Sequence, residues 1–288
     1  MLSLSKITIT QFRNYSISSF NFKERIIGIC GLNGKGKTNL LDAIHYLCFT
    51  KSYFSKADTL NTQFNADGFR IEGNFEKDKV VCIYRGPGKK ELLINDVPYE
   101  KFSEHIGKFP CVMIAPDDIE LINGGSEERR RFIDTVLSQF DAKYLQELIV
   151  YNKVLQQRNS LLKRFAESGK TDMPLLEVLN EQLIPPGKYI YTKRKELTEQ
   201  LIPLVQQLYK QIADNDETIT LQYETQLSKE TFEILLNQYK EKDFILQRTN
   251  AGIHKDDISI QLNGNTFKNT SSQGQTKKFI VCIKACRL

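Results

Sequence analysis

The chain has 288 residues, 40% of them hydrophobic and 26% charged, and a net charge of +5. This composition predicts a soluble globular protein with one large or two smaller domains, and its mild basic bias permits contact with nucleic acid without requiring it. The sequence has no apolar run of about 18 residues and no leader-like N-terminus, which argues against membrane insertion and secretion. Six scattered cysteines without a C-x-x-C pair indicate reduced thiols, so we expect a cytoplasmic protein.

Two predicted strands open the chain. Residues 2–10 alternate apolar and polar side chains, as a half-buried strand does, and residues 17–22 form the second strand of a hairpin. Arg13 lies in the turn between them, where a cation could fold over a nucleotide. From this residue alone, an ordinary surface arginine is the better interpretation.

The next stretch carries the strongest motif. Residues 25–30 are predicted to form a buried strand and residues 39–47 a helix with one apolar face. Between them the sequence fits G-x-x-x-x-G-K-[ST], a phosphate loop whose backbone N–H groups and helix N-terminus face a phosphate. Lys37 would reach the β- and γ-phosphates, and the Thr38 hydroxyl would hold Mg²⁺. The candidate nucleotide-binding residues here are Gly31, Leu32, Asn33, Gly34, Lys35, Gly36, Lys37, Thr38 and Asn39.

A block of short strands follows the first helix. Residues 69–75, 80–85 and 91–94 are predicted strands, and the glycine-, proline- and asparagine-containing stretches between them supply turns. We therefore expect an antiparallel block inserted beside a nucleotide-binding core.

A short apolar strand is predicted at residues 112–114, shortly before Asp117 and Asp118. Two adjacent carboxylates at the end of a strand could hold Mg²⁺ or orient a water. They could equally cap the next helical turn, because aspartate is a favoured N-cap residue. Both interpretations stay open.

Residues 126–213 are predicted to form a helical hairpin or small bundle, because apolar residues recur there at three- and four-residue steps. The pattern breaks at residues 169–174, and the Pro-Pro-Gly stretch at 185–187 predicts a kink or a stop. The charged faces of these helices are interpreted as a solvated surface. The basic runs 129–131 and 193–195 are the exceptions, as candidate binding patches.

The C-terminal part returns to mixed structure. Residues 218–223 and 258–262 are predicted strands, and residues 229–240 a helix. Residues 250–257 form a polar turn before the second strand, and residues 271–275 open a last helix.

These motifs, in this order, resemble the RecF family of DNA repair proteins, relatives of the SMC and ABC-type ATPases. The resemblance runs from end to end, and the order of the motifs is its most specific feature. The matching segments are 12–15 (F-R-N-Y), 31–43, 51–53 (K-S-Y), 116–118 (P-D-D), 129–134 (R-R-R-F-I-D), 252–257 (G-I-H-K-D-D) and 272–275 (S-Q-G-Q).

The resemblance implies an α/β fold, a P-loop ABC-type ATPase head with an antiparallel β block and an inserted helical arm. The head would comprise residues 1–125 and 214–288, with its C-terminal part incomplete, and the arm residues 126–213. ATP and Mg²⁺ would be the cofactors. Two protomers would close face to face over two ATP molecules and grip DNA through its backbone.

The same resemblance assigns site residues. Ser272, Gln273, Gly274 and Gln275 look like the family's signature motif, which would present backbone N–H groups and the Ser272 side chain to the γ-phosphate on the other subunit. Arg13 and Asn14 would lie near the nucleotide of their own subunit. Asp117 stands where related ATPases carry their Q-loop glutamine, which makes it a candidate for sensing Mg²⁺ or water.

The implied function is recombinational repair and replication in response to DNA damage, within the SOS response. Family members act at gapped or single-strand/double-strand junction DNA and help the RecO and RecR proteins load recombinase. Alternatives are a P-loop enzyme that phosphorylates a small molecule and an inactive interaction module. In this family, an apolar strand ending in acids (Walker B) follows the signature helix, and the sequence ends before such a strand. We therefore expect a truncated chain that binds ATP weakly and hydrolyses it poorly or not at all.

Overall fold

A computed structural model describes residues 3–86, 88–213 and 217–286. The chain forms two compact units, Met1–Cys111 and Val112–Leu288. The head and arm boundaries expected from the sequence remain a prediction. None of the helices within the described ranges combines the length and apolar character that crossing a lipid bilayer requires.

The first unit is an antiparallel sheet that packs against one helix. The strands pair in the order β2-β1-β3-β4-β5-β6, which confirms the predicted N-terminal hairpin and the three-stranded block. The elements are β1 (Leu4–Phe12), β2 (Tyr15–Asn21), α1 (Lys37–Phe49), β3 (Gly68–Phe75), β4 (Asp78–Arg85), β5 (Lys89–Ile94) and β6 (Val97–Pro98).

The core of this unit follows from strand alternation. Ile9 pairs with Ile71, and Ile71 pairs with Cys82, so these buried side chains form a row across three strands. The helix α1 packs its buried face, including Leu47, on the same core. Gly73 permits this approach, since a Cβ there would lie only 2.5 Å from Leu47 Cδ1. The position of α1, and of the loop before it, is thus fixed by the sheet.

Two predicted strands are absent from the described structure. Residues 25–30 and 112–114 pair with no strand in the described ranges, and most of their apolar side chains are exposed, such as Ile26 by 86% and Val112 by 64%. A strand is stabilised by backbone hydrogen bonds to a neighbouring strand, and apolar composition alone does not supply one. These two predictions were therefore wrong.

The second unit combines long helices with a small antiparallel sheet ordered β7-β8-β9. The helices α4 and α5 pack on each other and are joined at residues 169–172, as the predicted break at 169–174 requires. The elements are α2 (Glu120–Asn123), α3 (Ser126–Phe140), α4 (Ala142–Ser168), α5 (Met173–Ala213), β7 (Ile219–Glu224), α6 (Phe232–Gln238), α7 (Lys240–Leu246), β8 (Asp257–Leu262), β9 (Asn265–Thr266), α8 (Phe267–Thr270) and α9 (Gln273–Ala285).

Of the kink or stop predicted at the Pro-Pro-Gly stretch, the stop is wrong, because α5 continues through Pro185 and Pro186. Packing explains the outcome. Pro186 and Gly187 are buried, and a Cβ at Gly187 would collide with the ring of Phe232. Burial of this face against α6 stabilises the helix in spite of the backbone hydrogen bonds that proline removes.

Candidate functional site

The loop before α1 has the backbone that its glycines predict. Gly31 (φ 148°), Gly34 (φ 78°) and Gly36 (φ 95°) have positive φ, and Gly36 immediately precedes the first residue of α1. A Cβ at Gly36 would lie 2.7 Å from Asn14 Nδ2 and 3.0 Å from Tyr15 Oη. Glycine is therefore needed at position 36 both for its conformation and for space.

Lys37 organises this loop from within. Its Nζ donates to the carbonyl oxygens of Gly31 (2.8 Å) and Leu32 (2.9 Å), so the loop curls around the ammonium group. Thr38 is exposed in the first turn of α1. The partial positive charge of the helix N-terminus adds to that of the ammonium, and together they attract an anion.

Residues 14 and 15 brace the loop from the turn between β1 and β2. Asn39 Nδ2 donates to Asn14 Oδ1 (2.7 Å), and Tyr15 Oη donates to the Gly36 carbonyl (3.0 Å). The structure thus brings the predicted residue Asn14 together with the predicted loop. Its contact with a nucleotide remains a proposal.

Arg13 turns toward α1 instead of standing free. Its Nη2 lies 2.7 Å from Oδ2 of Asp42 and donates to Ser52 Oγ at 3.0 Å. Ser52 Oγ donates to Asp42 Oδ2 (2.7 Å), and the backbone N–H of Tyr53 donates to Asp42 Oδ1 (2.7 Å). Asp42 has no exposed surface. A buried charge needs a partner, so Asp42 and Arg13 hold each other in place.

The sequence pattern does not mark Asp42 or Ser52 as site residues. A signal was present for Asp42, which is an acid among the apolar positions of α1. An acid at such a position predicts a specific ionic partner, although the sequence does not say which one.

The predicted signature segment begins a helix, as expected. Ser272 is the N-cap of α9, where its side chain accepts from Gln275 N (3.2 Å) and its own N–H donates to Gln275 Oε1 (2.6 Å). Gln275 Nε2 also donates to Glu217 (2.6 Å). Gln273 and Gly274 are exposed at the helix start. Their role toward a phosphate stays a proposal.

The two adjacent carboxylates differ in their surroundings. Asp118 is buried, and its Oδ2 accepts from the backbone N–H of Ala115 (2.6 Å) in a capping box of the next turn. Its Oδ1 lies 2.7 Å from Nζ of Lys284 in α9. Burial lowers the pKa of Lys284, and Asp118 opposes that shift. Asp118 thus has the capping role, while Asp117 is exposed and remains a candidate for sensing Mg²⁺ or water.

Neither of the basic runs, residues 129–131 and 193–195, forms a continuous binding patch. Arg129 pairs with Asp257, and Arg131 pairs with acids one turn earlier in its own helix. Arg194 is buried and pairs with Asp134. Most of these charges stabilise the second unit internally.

The fold and the phosphate loop define the class of protein to which this chain belongs. The AAA domain family matches residues 6–249 of this chain. The chain is similar in fold to the Smc head domain from Pyrococcus furiosus, with 15% identity and a TM-score of 0.51, covering 99% of this chain and 79% of that one. The protein therefore has the α/β head fold of the P-loop ATPases of the SMC and ABC type, with an antiparallel sheet and helices.

Comparison with individual proteins identifies the family within this class. The DNA replication and repair protein RecF of Flavobacterium johnsoniae is 41% identical over 287 residues, covering 98% of this chain and 80% of the relative. That of Cytophaga hutchinsonii is 40% identical over 286 residues, covering 98% and 75%. The solved structure of the recombination mediator protein RecF-ATP in the RecFOR pathway gives a TM-score of 0.93 at 30% identity, covering 99% and 79%. The chain belongs to the RecF family.

Proposed function

We propose that the protein is an ATP-dependent DNA-binding protein of recombinational repair and replication. One observation carries the proposal: the curled loop around Lys37, braced by Asn14, at the N-terminus of α1. The names of the relatives, DNA replication and repair protein RecF, supply the biological setting.

The residues of the loop fit ATP with Mg²⁺. Positive-φ glycines leave room for a phosphate, and the Lys37 ammonium supplies the compensating charge. The Thr38 hydroxyl would ligate Mg²⁺, and residues 31–39 would hold the phosphates, with Arg13 and Asn14 near them. When bound, ATP would supply the phosphate group that links two protomers.

We propose a homodimer that forms with ATP. The capping box at Ser272 fixes the start of α9 and leaves Gln273 and Gly274 exposed there. Helix N-termini attract phosphate, so residues 272–275 are suited to the phosphate of a second protomer. The dimer would act in the cytoplasm at gapped or junction DNA and cooperate with RecO and RecR, in line with the RecFOR pathway of the solved relative.

A second candidate is an interaction module that binds ATP but turns it over slowly. One observation favours it: of the two carboxylates considered for Mg²⁺, Asp118 is committed to Lys284 and Ala115, and Asp117 is exposed. Asp118 is therefore not available to a metal ion, and Asp117 alone would hold one weakly.

The test measures DNA binding by fluorescence anisotropy on gapped, blunt and single-stranded DNA, with and without ATP and Mg²⁺, beside light scattering for the oligomeric state. We expect ATP to promote dimers and to tighten binding to gapped DNA. Lys37→Ala should lose both responses, whereas Lys56→Ala, an exposed lysine elsewhere in the first unit, should keep them. DNA binding that ATP does not change would favour the interaction module, and an absence of DNA binding would refute the proposal.

A further inference from the structure

Two motifs that the proposed function leaves unused meet in the second unit. Arg129 donates from Nε and Nη2 to the two carboxylate oxygens of Asp257, at 2.6 and 2.9 Å. Arg130 Nη1 donates to the backbone carbonyl of Asp256 (2.6 Å). The start of α3 is thus fixed to the turn that precedes β8, although the two are far apart in sequence.

Buried polar groups contact the same turn and fix its conformation. His254 Nε2 lies 3.0 Å from the carbonyl oxygen of Thr249, and Nδ1 lies 2.8 Å from Tyr151 Oη. Arg194 Nη1 donates to the carbonyl of Ile253 (2.7 Å). Gly252 has a φ of 124° and packs where a Cβ would meet Tyr151 Oη at 2.7 Å. Residues 249–257 therefore form a mostly buried, preorganised turn in which Lys255 is exposed.

Exposed cations without an ion-pair partner in the described structure lie at this turn and in the segment before it. Lys255 is exposed at the turn. Arg248 is exposed one residue before Thr249, and its N–H donates to the Asp243 carbonyl in α7 (3.2 Å), next to the exposed Lys242. We define these three residues, with the half-buried Arg130 behind them, as the basic turn.

The nearby aspartates are already engaged. Asp243 pairs with Arg158, Asp256 with Arg194 and Asp257 with Arg129. The exposed Glu241 adjoins Lys242 along α7 and offsets one positive charge. The other cations remain, so the basic turn keeps a net positive charge. Within the described part of the chain, none of its four cations has an ion pair with an acid.

The cations of the basic turn repel one another. Burial lowers the pKa of Lys255, and Arg248, Arg130 and Lys242 lower it further, while Asp243 opposes them. Clustered like charges on a rigid surface destabilise the free protein, and a bound polyanion relieves that repulsion.

We propose that the basic turn binds backbone phosphates of DNA, an inference that rests on the DNA binding proposed above. Lysine and arginine contacts to phosphates position a protein on DNA without reading its sequence. The buried network holds the turn in one conformation, so less ordering is needed on binding. The spread of exposed cations from α7 to the turn suits successive phosphates better than a single free phosphate.

The test uses the full chain with Lys242→Gln, Arg248→Gln and Lys255→Gln combined. DNA affinity is measured by anisotropy with ATP and Mg²⁺ across a salt series. Each lost phosphate contact reduces the slope of log K against log salt by about 0.9, so we expect a reduction of about 2–3 and a roughly 10- to 100-fold loss of affinity at moderate salt. ATP binding should be unchanged, and the melting temperature should not fall, because the three side chains are exposed and their mutual repulsion is removed.

A matched control is Lys210→Gln. Lys210 is exposed in α5, 16 residues beyond the Arg194 that reaches the turn, or roughly 24 Å along the helix. Lys242→Arg with Lys255→Arg should keep the wild-type slope. An unchanged slope and affinity in the triple glutamine variant would overturn the inference while the proposed function stands. A wild-type protein that binds no DNA would overturn both. If millimolar inorganic phosphate alone abolished DNA binding, the site would be assigned to free phosphate and the inference would be overturned.

Discussion

Arg13, in the turn after β1, and Asp42, inside α1, form an ion pair in which Nη2 and Oδ2 are 2.7 Å apart. Asp42 is fully buried, and its second oxygen accepts a hydrogen bond from Tyr53 N. The pair ties the turn that braces the phosphate loop to the helix that the loop begins. The geometry of the loop therefore depends on a contact outside it.

Asp42→Asn should destabilise the protein. The change leaves the Arg13 guanidinium without its charged partner, and its Nε is already buried without a hydrogen-bond partner in the structure. Breaking a buried pair from one side costs several kcal/mol, and because Arg13 is partly exposed we expect a loss of about 2–4 kcal/mol in the free energy of unfolding, measured with urea. Asp96→Asn, in an exposed pair with Lys79, should change it by less than about 1 kcal/mol. Equal effects of the two substitutions would contradict this account.

Arg129→Lys should be costly although the charge is kept. The guanidinium bonds both oxygens of Asp257 and also donates to the Leu121 carbonyl, a set of directions that an ammonium cannot reproduce. We expect a loss of about 1–2 kcal/mol in the free energy of unfolding. Arg131→Lys is the control, since its pairs are exposed on one face of α3. If both variants unfold like the wild type, the link between α3 and the turn before β8 is not stabilising.

His254 should make stability depend on pH. Burial lowers its pKa to about 4, from an ordinary value of 6.5, and Lys255, Arg130 and Arg158 contribute. The unfolded chain therefore binds more protons between pH 6.5 and 4, so the free energy of unfolding should fall as the pH decreases through that window, by on the order of 2–3 kcal/mol. In the neutral ring, Nε2 donates to the Thr249 carbonyl, since a carbonyl only accepts, and Nδ1 accepts from Tyr151.

The control for this pH dependence is His254→Gln, which removes the titrating group. Its free energy of unfolding should be lower at pH 7 but change less between pH 6.5 and 4 than that of the wild type. Identical pH profiles would show that another group, such as the buried His105, whose pKa burial also lowers, dominates the dependence.

Much of the first unit follows from the sequence. The sequence predicts the five longer strands, β1 to β5, and the phosphate loop is recognisable because its glycines and lysine are local in sequence. The strand predictions at residues 25–30 and 112–114 failed because apolar composition does not by itself make a strand. A strand also needs a neighbouring strand to pair with, which depends on the tertiary structure.

The contacts that fix the site were harder to predict. Asp42 and Arg13 are 29 positions apart, and Arg129 and Asp257 are 128 apart, so no local pattern pairs them. Single sequences reveal that a buried charge needs a partner without identifying it. The continuation of α5 through two prolines likewise depends on packing against Phe232.

The most direct test of the account is a nucleotide titration by calorimetry, with ATP and Mg²⁺, on the wild type, Lys37→Ala and Lys56→Ala. We expect saturable binding for the wild type and for Lys56→Ala, and a loss of at least about tenfold in affinity for Lys37→Ala with an unchanged melting temperature in the absence of nucleotide. Equal ATP affinity in wild type and Lys37→Ala would contradict the assignment of the loop around Lys37 as the nucleotide site.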